Sequence, residues 1–147
     1  MSLRRSILYG FFFIVLAIGA AVAYRGVSAQ TEADRARLSG MAGEAAPIIA
    51  VLDRVRKERG ALPHGAEDLA GLLPEGVLAE EIGYILRFDT GTAPGWLFVA
   101  APGGHGYELS RRLGEEARLL YQDEDGKGRW LWDPGDGTGP APVDLDP

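Results

Sequence analysis

The residues with the most chemical potential lie near the C-terminal end, where Asp123-Glu124-Asp125-Gly126-Lys127-Gly128 gathers carboxylates beside glycines. A calcium loop needs hard oxygen ligands next to residues that turn tightly, so Asp123 and Asp125 are the candidate metal ligands. The run lacks the further carboxylate spacing of an EF-hand, and Lys127 sets a positive charge beside the site. The same composition builds a solvated hairpin turn, which is the simpler reading. Asp133 and Asp136 would add ligands if the chain folds back on itself.

Other reactive types are sparse. His64 and His105 are the only histidines, each alone among turn residues, and there is neither a cysteine nor a His-x-x-x-His spacing to suggest a zinc site of three or four ligands. Ser2, Ser6, Ser28, Ser39 and Ser110 lie outside any Gly-x-Ser-x-Gly elbow. Pro102-Gly103-Gly104-His105-Gly106 lacks the Gly-Lys-Ser/Thr ending of a phosphate loop. The pairs Glu80-Glu81 and Glu115-Glu116 suit solubility better than acid-base work, because adjacent residues on a strand point in different directions. Trp96, Trp130 and Trp132 have rings that stack on glycans, but aromatics in alternating strands are mostly core. The expectation is a non-enzymatic protein with no catalytic residues and no cofactor, calcium being the one ion considered.

The element that decides where such residues work is the run Ile7 to Tyr24, which is uncharged and follows Arg4 and Arg5. Its 18 residues span about 27 Å as a helix, close to a bilayer's hydrocarbon thickness. Residues 1–6 are expected in the cytoplasm, 7–24 as a single transmembrane helix and the rest in the periplasm, because the positive flank stays inside. Tyr9 and Tyr24 suit the two interfaces. This places the chain in a bacterial inner membrane. The alternative is a removed signal peptide, since Val27-Ser28-Ala29 fits an export cleavage pattern and would leave a soluble periplasmic binding module.

After Arg5 there are 13 basic against 21 acidic side chains, a balance of about −8 that repels nucleic acid. Beyond Ala29 remain 118 residues, enough for one core. Over residues 31–59, Leu38, Met41, Ala45, Ile48, Leu52 and Val55 recur every three or four residues and draw one apolar stripe down a helix. Pro47 is expected to kink or break it, and Gly60 to cap it after Arg54, Arg56, Lys57 and Arg59. A short helix is expected from Glu67 to Leu73, closed by Pro74.

Then the period changes to two: Tyr84, Leu86 and Phe88; Trp96 to Ala101; Tyr107, Leu109 and Leu113; Leu119 and Tyr121; Trp130 to Trp132. The turns between them predict an antiparallel meander of four or five strands. The fold class is therefore α+β over residues 30–132, an amphipathic helix covering one face of a sheet. Residues 133–147, rich in Asp, Gly and Pro, are expected to form a disordered tail.

This order, and Arg59-Gly60-Ala61-Leu62-Pro63 followed by Asp68-Leu69 and Leu72-Leu73-Pro74, resembles type IV pilins and type II secretion pseudopilins with their asparagine-glycine-x-tyrosine-proline turn. Gly10-Phe11 imitates the family's processing site, although Val15 stands where its Glu would be and no basic residue directly precedes Gly10. The resemblance implies a pilin-like roll and a membrane-anchored structural or interaction protein associated with other pilin-like or secretion-apparatus subunits. It also implies calcium in a sheet-connecting loop, as some pseudopilins hold.

Overall fold

A computed structural model of the chain describes residues 32–145. The chain divides into two units, Met1–Arg37 and Leu38–Pro147. Of the first, residues 32–37 are described, and they are helical. The second carries the sheet and its core.

Helix α1 covers residues 32–59. Leu38, Ala42, Ala45, Ile48, Leu52 and Val55 are buried along it, the helical stripe with Ala42 added and Met41 partly covered. Two fully buried alanines let the backbone approach the sheet closely. Pro47 does not interrupt the helix. It lies on the exposed face, where the one carbonyl it leaves without a donor, that of Gly43, is within reach of water. Gly60 ends the helix at φ 71°, its N–H donating to the Arg56 carbonyl at 2.9 Å, so the expected cap is the observed one.

The rest is a sheet of seven strands in sequential order, every neighbour antiparallel. The strands are β1 (Leu78–Ile82), β2 (Ile85–Asp89), β3 (Trp96–Ala100), β4 (Gly106–Arg112), β5 (Arg118–Glu124), β6 (Lys127–Asp133) and β7 (Ala141–Pro142). One face meets α1 in the core: Leu86, Phe88, Trp96, Phe98, Tyr107, Leu109 and Leu119 are buried with the helix stripe. Edge-on and tilted rings run through it from Phe98 to Tyr107, Tyr121, Trp130 and back to Trp96, with centroids 5.1–6.1 Å apart. The three tryptophans are thus core or packed on it. The opposite face carries the cross-strand row Glu80, Arg87, Leu97, Ser110, Leu120, Leu131 and Pro142.

This corrects the expected fold class. The described chain is mostly sheet, with seven strands rather than the four or five of a pilin-like roll. No helix among the described residues is long and apolar enough to cross a membrane. The expected transmembrane helix, residues 7–24, lies outside the described residues. The two added strands are the sheet's edges, and neither has the pattern of a half-buried strand. β1 carries two glutamates, and β7 is two residues long with a proline, which only an edge accepts.

Two further elements differ from expectation. Instead of a helix over Glu67–Leu73 there is a 3-10 turn at Ala66–Leu69, with Leu69 buried. The segment expected as a disordered tail instead returns to the sheet: Ala141 pairs with Trp132, Pro142 with Leu131, and Leu145 is buried in the core. Its apolar residues are few, but they reach the core because the chain turns back through the glycines after Asp133.

Candidate functional site

The acidic stretch is a two-residue hairpin. Asp125 and Gly126 form its tip with φ 54° and 86°, the left-handed pair of a type I′ turn, while Glu124 faces Lys127 and Asp123 faces Gly128 across the strands. The turn divides the two candidate calcium ligands. Asp123 points to the helix side with its side chain 1% exposed, whereas that of Asp125 is 81% exposed. Asp133 pairs with Arg118 at 3.4 Å and Asp136 accepts from Thr138, so neither turns toward Asp123. Among the described residues no group of three or more His, Asp or Glu side chains is placed to hold a metal ion.

What Asp123 holds is Arg56 of α1. Both terminal guanidinium nitrogens donate to its carboxylate, the second at 3.3 Å, and the Gly126 amide donates at 3.1 Å. Arg56 also donates to Asp53 at 2.9 Å and stacks 5.8 Å over the Tyr107 ring. Burial alone would raise the Asp123 carboxyl. The Arg56 hydrogen bond, the Gly126 amide and the guanidinium charge outweigh it and hold the group below the ordinary carboxylate value. Asp53 goes the other way: burial raises it, Arg56 offsets this in part, and the nearby Asp123 charge raises it further. Burial, together with the Asp53 charge, pushes the Tyr107 hydroxyl far above its ordinary range, so it stays protonated.

A second clamp lies nearer the start of α1. Arg111, 7% exposed, donates to Glu44 and, at 3.3 Å, to the Ala93 carbonyl, while Thr90 donates to the other Glu44 oxygen. Its guanidinium also lies 5.9 Å from the Trp96 ring. The two clamps have opposite polarity. The helix presents an anion at Glu44 and a cation at Arg56; the sheet answers with Arg111 and Asp123. A helix docked in reverse would set Glu44 by Asp123 and Arg56 by Arg111, like charge against like. Both clusters therefore fix one docking direction, and every charge in them already has a partner.

The remaining candidates are apart from each other. The exposed His64 lends its backbone N–H to Asp68, whose carboxylate also accepts from Arg59 at 2.8 Å. His105 is exposed, with Nδ1 4.0 Å from Asp125. Glu80 pairs with Arg87 on the outer face, and Glu81 accepts from the Ala66 amide on the other side, so the acidic pair does not converge.

The surface that the sequence does not flag is the β1–β2 hairpin. Gly83 takes φ 63° and Tyr84 follows it at the tip of a two-residue turn, closed by Ile82 and Ile85. The Tyr84 side chain is fully exposed, Leu78 is 70% exposed and Ile82 47%. Three exposed apolar side chains thus lie on one short hairpin. An alternating strand signal hides it, because Tyr84 reads as the first inward residue of a strand and is a turn residue instead.

No family profile, curated protein or solved structure matches the chain. The expectation of a pilin-like roll carried on a membrane helix is corrected on two grounds: no helix among the described residues is a membrane span, and the sheet has seven strands. The likeness at Arg59 to Pro63 is a buried-ended loop, Leu62 and Pro63 inside and Arg59 tied to Asp68.

Proposed function

We propose that this chain is a non-enzymatic protein-interaction domain working on the far side of a bacterial inner membrane, with the β1–β2 hairpin as its contact surface. The observation that carries the reading is the fully exposed Tyr84 at the hairpin tip, on the same hairpin as the exposed Ile82 and Leu78. An aromatic ring with one polar end is the side chain that interfaces enrich, and its apolar neighbours supply area to desolvate. The compartment rests on sequence: the apolar segment 7–24 behind Arg4 and Arg5 carries the domain across, whether the segment is kept or cut after Ala29. The ion pairs Arg56–Asp123 and Arg111–Glu44 join α1 to the sheet, which supports a structural rather than a chemical use of these charges.

Two measurements test this. A C-terminal alkaline phosphatase fusion, active only outside the cytoplasm, should be active; an inactive fusion removes the compartment. A photoreactive phenylalanine analogue at position 84 should give cross-linked adducts in cells, and the same analogue at the exposed Glu115 should not. Absence of the adduct at 84, or equal yield at 115, removes the hairpin as the contact surface.

A further inference from the structure

We infer that the free edge of β1 accepts an extended strand from a partner protein, with a lysine or arginine opposite Glu80 and apolar residues opposite Leu78 and Ile82. The inference rests on the interaction reading above and names the partner's chemistry. In a two-residue hairpin the closing pair, Ile82 and Ile85, exchanges both backbone hydrogen bonds, and the pattern alternates away from it. Leu78, Glu80 and Ile82 therefore bond to β2, while the N–H and C=O groups of Ala79 and Glu81 point outward. Among the described residues no other strand pairs with β1, and no loop backbone bonds to those groups. Two donors and two acceptors at ladder spacing thus have no backbone partner among the described residues.

The side chains define what fits. Leu78, Glu80 and Ile82 share the face away from α1, all exposed. In an added antiparallel strand they would occupy the pairs without backbone bonds, where facing side chains come closest. A second copy of this chain is the wrong occupant: overlapping two β1 strands fully, antiparallel, sets Glu80 directly against Glu80. A cation there instead completes a row with Arg87, which already holds Glu80 at 2.6 Å from the other side. On the helix-facing side, Glu81 is engaged by the Ala66 amide and Gly65 closes against its carboxylate, so selection falls on the outer face. A short strand carrying acids also guards against indiscriminate edge pairing, which leaves the charge as the selector.

The probe is a strand of sequence Val-Thr-Lys-Thr-Val fused to the C-terminus of the full chain through a Gly-Ser linker of about twenty residues, long enough to span about 25 Å. Hydrogen exchange at the Ala79 and Glu81 amides should slow at least tenfold against a fusion carrying Glu in place of Lys, and Glu80→Lys should reverse the preference. Unchanged exchange with the Lys fusion, protection independent of the central charge, or concentration-dependent dimers of the unfused chain through β1 would each overturn the inference. If position 84 cross-links in cells while the Lys strand fails to protect β1, the hairpin remains a contact surface and only the strand-addition mode falls. If both fail, the interaction reading falls with it.

Discussion

Asp123 and Asp53 sit on the same arginine and are pushed in opposite directions, which makes them a matched pair for testing the helix clamp. The lowered Asp123 carboxyl means the fold binds its ionised form; that contribution is complete above the ordinary value of about 4 and is lost as pH falls through the lowered folded value. Asp123→Asn should therefore flatten the acid limb of a stability–pH curve. It should also cost about 3 kcal/mol at neutral pH, the low end for a broken buried pair, since Arg56 keeps 20% of its side chain exposed. Asp53 is raised, so its folded form costs stability as pH climbs through that raised value. Asp53→Asn should leave neutral-pH stability equal or higher, a contrast measurable by urea unfolding at pH 3 to 7. The reverse order of the two variants would mean that Arg56 is held by Asp53 and not by Asp123.

At the scale of elements, α1 shows how much a helix can absorb when its apolar stripe is continuous. The stripe was legible in Leu38, Ala45, Ile48, Leu52 and Val55, and so was the Gly60 cap, because both depend only on local spacing and local backbone freedom. The effect of Pro47 was not. Whether proline breaks a helix depends on which way it faces, and here it faces water, so packing on the opposite side carries the helix through. Pro47→Ala should raise the urea midpoint by the equivalent of about 2 kcal/mol, restoring a bond and a better helix former against the lost stiffening of the unfolded chain. No change would mean that the segment is more tightly constrained by the sheet than by its own propensity. The hairpins divide similarly: Asp125-Gly126 is a turn any reader of the sequence would place, while Gly83-Tyr84 was hidden inside an alternating run.

At the scale of the whole molecule, the sheet is bordered by two unlike edges. β7 and the residues after it close one side, with Leu145 buried in the core. Leu145→Ser should thus lower stability by about 2 kcal/mol, a loss that a solvated tail would not show. Among the described residues no strand pairs with the outer side of β1, which shows its apolar residues to solvent, so the two edges differ: β7 is two residues long with a proline, and β1 is a five-residue strand. The sequence by itself determined the amphipathic helix, its cap, the meander and its core aromatics, because each is written in a period of two or of 3.6 and in turn residues. Only the tertiary structure decided that Asp123 is a buried partner of Arg56 while Asp125 is exposed at the turn, that residues 141–142 add a seventh strand to the sheet, and that Tyr84 stands in solvent. Those depend on which residues distant in the chain meet, and on what an edge lacks, neither of which has a local signature.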